Sequence, residues 1–140
     1  MKAIFLILLS VFCLSTEVEN SDKREYKIFK SADFKEEGPN EIEVKLNDWF
    51  IIELLSSPTT GYEWKLGNYN ELEKLHTNST NGEGVYMEDE VDQGVTGASG
   101  KDRYYFNAKS AGEETLKLRY ARHWEDFSLI SYDVVVHIVK

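Results

Sequence analysis

From Glu41 to Leu46 the chain alternates charged and apolar residues without a break (EIEVKL), and from Thr115 to Tyr120 it alternates polar and apolar ones again (TLKLRY). A period of two places one set of side chains on each face of a strand, so both segments predict half-buried β-strands. Trp49 to Leu55 (WFIIELL) and Asp133 to Val139 (DVVVHIV) are nearly continuous apolar runs, which suits strands buried more deeply or packed at a sheet centre. Further strand candidates are Tyr26 to Phe29, Tyr62 to Leu66, Gly84 to Val91 and Arg103 to Ala108. Trp49 and Trp64 fall inside these patterns and are assigned to the core. The one helix-like stretch is Asn70 to His76 (NELEKLH), about two turns long at most. Roughly seven to eight short strands at intervals of about 8 to 15 residues, with almost no helix, predict an all-β, immunoglobulin-like antiparallel β-sandwich.

The first residues do not share this pattern. Lys2 is followed by an apolar run of 12 residues, Ala3 to Leu14. That is short of the roughly 20 residues a membrane-spanning helix needs, and a positive start followed by a short apolar stretch has the form of a secretory signal peptide. Small residues at Cys13 and Ser15 predict a signal peptide over 1–15 and a mature domain over 16–140, with a first buried helix as the competing reading. Cleavage would discard the one cysteine of the sequence, leaving a secreted domain held by its core instead of by disulfides. The expected location is the secretory pathway: outside the cell, or the lumen of lysosome-like or phagosomal vesicles. The triplet Asn78-Ser79-Thr80 lies in a polar stretch and fits the N-glycosylation pattern, making Asn78 a candidate acceptor.

With 140 residues the chain is sized for one domain with a core of its own. Its net charge of −9 would repel a phosphate backbone, so nucleic acid is not an expected partner. No membrane partner is expected once the signal is removed. Three histidines, His76, His123 and His137, and a mature chain without cysteine assemble into no catalytic triad, and Gly97-Ala98-Ser99-Gly100-Lys101 lacks the last glycine of a nucleophile elbow. The acidic run Glu88-Asp89-Glu90 with Asp92 matches no calcium-ligand spacing. The expectation is a non-enzyme without metal or cofactor.

Three loops carry more than turn chemistry. In Ser57-Pro58-Thr59-Thr60-Gly61-Tyr62 a proline that fixes φ and a glycine that permits positive φ stiffen an arch around two threonines. Gly94 to Gly100 (GVTGASG) holds three glycines in seven residues, leaving bare backbone open to close approach. Arg122-His123-Trp124 follows an alternating strand, with Glu125 and Asp126 behind it. Taken singly, these are a tight turn, a flexible hairpin and a core tryptophan. Strand parity joins them: two strands separate the first loop from the second and two more the second from the third, so all three leave one end of the sandwich. Loops gathered on a rigid scaffold are a common way to build a binding surface, and a tryptophan beside an arginine has the composition of an interface hot spot.

These segments, in this order, resemble the chagasin-type inhibitors of papain-like cysteine proteases. That family carries Asn-Pro-Thr-Thr-Gly-aromatic, Gly-x-Gly-Gly and Arg-Pro-Trp in its B–C, D–E and F–G loops. Here the matching residues are Ser57 to Tyr62, Gly97-Ala98-Ser99-Gly100 and Arg122-His123-Trp124, and the resemblance is strongest over 41–140. It implies a monomer that plugs the substrate cleft of a papain-like protease, cathepsin L-like or B-like, in a reversible one-to-one complex. Pro58 and Gly61 would hold Thr59 and Thr60 against the catalytic Cys and His without offering an aligned scissile bond. Gly97, Ala98, Ser99 and Gly100 would run along the non-primed side, Trp124 would stack on the primed side, and Arg122, next to His123 in the same protease-binding motif, would anchor its loop or reach an acidic rim. Three substitutions depart from the family. Ser57 stands for Asn, Ser99 for Gly and His123 for Pro, which predicts looser loops and adds an imidazole able to charge at endosomal pH. A secreted immunoglobulin-like adhesion or carbohydrate-binding module is the competing reading.

Overall fold

The computed structural model describes residues 25–89 and 99–140. Among these are nine strands: β1 (Lys27–Lys30), β2 (Pro39–Lys45), β3 (Trp49–Ser56), β4 (Glu63–Leu66), β5 (Leu75–Thr77), β6 (Val85–Glu88), β7 (Gly100–Ala108), β8 (Gly112–Ala121) and β9 (Ser128–Val139). One sheet runs β1-β3-β7, with β5 and β6 both along the outer side of β7, and the other runs β2-β9-β8-β4. The predicted signal peptide at 1–15 lies outside the described residues, as do Gly97 and Ala98.

The period of two sorts each strand as its pattern demands. Ile42 and Val44, Phe50, Ile52 and Leu54, Tyr104 and Phe106, Leu116 and Leu118, and Val134, Val136 and Ile138 all point into one core between the sheets. The two apolar runs are both central strands, β3 between β1 and β7 and β9 between β2 and β8. On β3 the other face is covered as well, burying Ile51 and Glu53. The Glu53 carboxylate lies 2.8 Å from Arg103, its partner across the ladder, and 3.7 Å from Lys101. Trp64 is buried at the core, whereas Trp49, at the first position of β3, is only half-buried. Its assignment to the core is corrected accordingly: the first residue of a strand lies at the rim of the sheet.

The sheets are mixed. β1 runs parallel to β3 and β2 parallel to β9. The chain passes from β1 in one sheet to β2 in the other and back to β3, reversing direction each time, so β1 and β3 run the same way. Pro39 opens β2 at a sheet edge, where its missing N–H costs no ladder bond.

The helix expected over Asn70 to His76 does not form. The Glu114 carboxylate accepts the backbone N–H groups of Glu73 (3.0 Å), Lys74 (3.0 Å) and Leu75 (2.9 Å). The amides that a helix would use internally are thereby bound to β8, and Leu75 to Thr77 join β7 as a strand. β5 and β6 run in the same direction along β7, Leu75 opposite Ala108 and Glu88 opposite Gly100. They act as one interrupted strand, so the additional element leaves the loop parity unchanged.

Candidate functional site

Ladder ends place the three loops. β3 and β7 meet at Ser56 and Gly100, and β6 meets β7 at Glu88 and Gly100. β4 meets β8 at Glu63 and Ala121. The arch after Ser56, the segment between Asp89 and Ser99, and the loop after Ala121 therefore start from the same end of the sandwich.

The arch is a short 3-10 turn, Pro58–Thr60, with all three side chains exposed. Its backbone is closed on itself: the Thr60 and Gly61 amides donate to the Ser57 and Pro58 carbonyls, each at 3.1 Å, and the Thr60 hydroxyl donates to the Ser57 carbonyl at 2.6 Å. Gly61 takes φ +83°, and a Cβ there would lie 2.7 Å from Cη2 of Trp124. Both the left-handed backbone and the close approach call for glycine. The scaffold grips the arch from below, where the Tyr120 hydroxyl accepts the Ser57 N–H at 3.1 Å and stacks its ring on Tyr62 at 5.3 Å. No side-chain cap bond comes from Ser57, so the hydroxyl that shapes the turn is that of Thr60.

The third loop reaches back to the first. Arg122 donates from Nε to the Thr60 carbonyl at 3.1 Å, lies over the Tyr62 ring at 4.3 Å, and pairs through Nη1 with Glu125 at 3.1 Å. The Glu125 amide closes a turn on the Arg122 carbonyl at 3.1 Å. His123 packs edge-on against Trp124 at 4.7 Å. The loop is thus tied down without the family's proline. Trp124 is 61% exposed, a cost in water that a partner surface would remove.

At the base of the second loop the Asp89 amide donates to the Ser99 carbonyl at 3.1 Å, and the Ser99 hydroxyl donates to the Asp89 carboxylate at 3.3 Å. Gly100 is buried beneath β6, and a Cβ on it would strike the Tyr86 hydroxyl and the Met87 carbonyl. It is a close-packed root of the loop.

Beside the arch a cavity of about 290 Å³ is lined by Pro58, Tyr62, Trp64, Tyr86 and Asp102, among others. Burial holds the Asp102 carboxyl above the usual carboxylate range, although a hydrogen bond with Ser56 works against that shift. Sequence reasoning missed Tyr120, Glu125 and the exposed Phe127 at this end. Glu125 had a signal, an acid three residues beyond Arg122.

A rigid sandwich with three loops at one end, one locked by another and topped by an exposed tryptophan, defines a protein that works by binding through its loops. Residues 43–138 match the chagasin family peptidase inhibitor I42, and the chain belongs to that family. It is a peptidase inhibitor, not an enzyme, and the adhesion-module reading gives way. Among solved structures, the solution structure of amebosin is 21% identical with a TM-score of 0.60, covering 81% of this chain and 98% of that one. The cysteine protease inhibitor EhICP2 from Entamoeba histolytica is 21% identical with a TM-score of 0.62, covering 81% and 95%. PbICP-C, solved in complex with falcipain-2, is 15% identical with a TM-score of 0.50, covering 81% and 98%. No curated protein sequence matches the chain significantly.

Proposed function

We propose that the protein is a reversible, competitive inhibitor of papain-like cysteine proteases that plugs the substrate cleft with its three loops as a monomer in a one-to-one complex. The observation that carries this reading is the joint geometry of the arch and the third loop: exposed Thr59 and Thr60 on a closed 3-10 turn, braced by Arg122 and flanked by exposed Trp124. The similarity to EhICP2, a cysteine protease inhibitor, supports the protease class. PbICP-C, solved with falcipain-2, is a similar fold bound to its partner.

Thr59 and Thr60 face the catalytic Cys and His, the second loop with Ser99 and Gly100 at its root follows the non-primed side, and Trp124 covers the primed side. A loop already fixed by its own hydrogen bonds loses little entropy on docking, which favours affinity at an ordinary interface size. The mature domain, 16–140, enters the secretory pathway on a signal peptide over 1–15 and acts outside the cell or in lysosome-like or phagosomal vesicles. The exposure of Asn78, just past the end of β5, supports its use as a glycan acceptor. Titration of the mature domain into papain, read with a fluorogenic peptide, tests the function: activity falls to zero near equimolar inhibitor, and full activity at micromolar inhibitor overturns the reading.

A further inference from the structure

A peptide lying against a cysteine protease nucleophile is cut when its carbonyl carbon is open to attack and its carbonyl oxygen can turn into the oxyanion hole. The arch presents threonines at that position, so something must keep it from being a substrate. Its Thr60 and Gly61 amides are satisfied within the turn, as an isolated turn could also arrange. The Thr60 carbonyl, the one that would have to enter the oxyanion hole, is held from outside the arch: it accepts the Nε–H of Arg122 from the third loop, 62 residues away.

Arg122 is fixed on three sides. Its guanidinium lies on the Tyr62 ring at 4.3 Å, its Nη1 meets Glu125 at 3.1 Å, and the turn from Arg122 to Glu125 is closed by a main-chain bond. Glu125 Oε2 is buried without a hydrogen-bond partner among the described residues, so the Glu125 charge leans on Arg122. On the other side of the same peptide bond Gly61 is wedged against Trp124. The Thr60–Gly61 bond is therefore clamped at its oxygen by Arg122 and at its α-carbon by Trp124.

Resting on the inhibitor reading above, we propose that Arg122, oriented by Glu125, is the positioning residue that makes the arch resist cleavage, by keeping the Thr60 carbonyl oxygen out of the protease's oxyanion hole. Without the clamp, the protease thiolate adds to the Thr60 carbonyl carbon, the Gly61 nitrogen leaves with a proton from the catalytic imidazolium, and water then releases the Thr60 acyl group as a carboxylate. Hydrolysis needs no other reactant.

The test is prolonged incubation of the wild-type, Arg122→Ala and Glu125→Gln mature domains with papain, read by intact-protein mass spectrometry alongside residual papain activity and Tm. The wild type inhibits and stays intact. Arg122→Ala is cut between Thr60 and Gly61 at least about tenfold faster, as loss of a charge-assisted hydrogen bond implies, and its inhibition decays with time. Glu125→Gln, which keeps the shape of the side chain, is cut at the same bond more slowly. Unchanged Tm in both variants separates loss of the clamp from loss of the fold. Variants that stay intact, or are cut first elsewhere, overturn the role of Arg122 while leaving the inhibitor reading standing. A wild type that leaves papain fully active overturns that reading, and this inference with it.

Discussion

At the end of the sandwich away from the three loops, main-chain groups bind main-chain groups: the Leu46 N–H donates to the Val139 carbonyl at 2.8 Å, Asn47 to Ala108 at 2.7 Å, and Ala108 to Asp48 at 2.9 Å. Side chains enter as well: the Asn107 amide donates to the Asn47 and Asp48 carbonyls, each at 3.2 Å, and the Glu114 carboxylate draws Glu73, Lys74 and Leu75 onto the scaffold. At the loop end local main-chain bonds close the turns, and side chains remote in sequence fix the arch against the scaffold: the Tyr120 hydroxyl on Ser57, the Arg122 guanidinium on Thr60 and the Trp124 ring on Gly61. Large apolar groups, Trp124 and Phe127, stand in solvent there. Main-chain bonds accept almost any residue, whereas a carbonyl clamped by a guanidinium demands that residue. One end is built to be stable and the other to keep a particular surface.

Substitutions at the two ends should therefore separate stability from inhibition. The largest effect is expected at the stable end. Glu114→Ala leaves three amides without their acceptor and should cost about 2 kcal/mol, a fall in Tm of roughly 6–10 °C, with inhibition of papain unchanged below the transition. Calorimetry and a papain titration on one sample check both halves. At the loop end the pattern inverts: Trp124→Ala removes an exposed anchor, weakening inhibition by about 30-fold, equivalent to about 2 kcal/mol, while Tm stays within about a degree. A large fall in Tm would assign Trp124 to the fold instead.

The smallest effect lies at Asp102, beneath the arch. Burial disfavours its ionised form, so the folded chain keeps this proton to a higher pH than the unfolded chain does. Between those two values folding takes up a proton, and stability falls as pH rises through the window; above it the buried charge is a constant cost. Asp102→Asn should raise Tm slightly at pH 7, with the gain shrinking as pH falls toward about 4. A gain independent of pH would contradict that origin.

The same contrast explains what was legible in the sequence. Alternation at Glu41 to Leu46 and Thr115 to Tyr120 exposed two strands directly, because a strand's faces are written two residues apart. Asn70 to His76 misled, because Glu114, which holds that segment, lies about forty residues away and no local pattern records it. Parallel pairing was invisible for a similar reason: it follows from which sheet each strand joins. At the loop end Pro58 and Gly61 stood out as the stiffened ends of an arch, and Arg122 and Trp124 as residue types that an ordinary turn does not need. Tyr120 was hidden because its ring fits the alternating pattern of β8 and gives no sign that its hydroxyl serves the arch.

The central claim is that this end occupies a protease's substrate cleft. Steady-state inhibition of papain at several concentrations of a fluorogenic peptide tests it most directly. Competitive occupation gives an apparent inhibition constant that rises linearly with substrate, with apparent KM increased and kcat unchanged; inhibition that lowers kcat and is indifferent to substrate would contradict it.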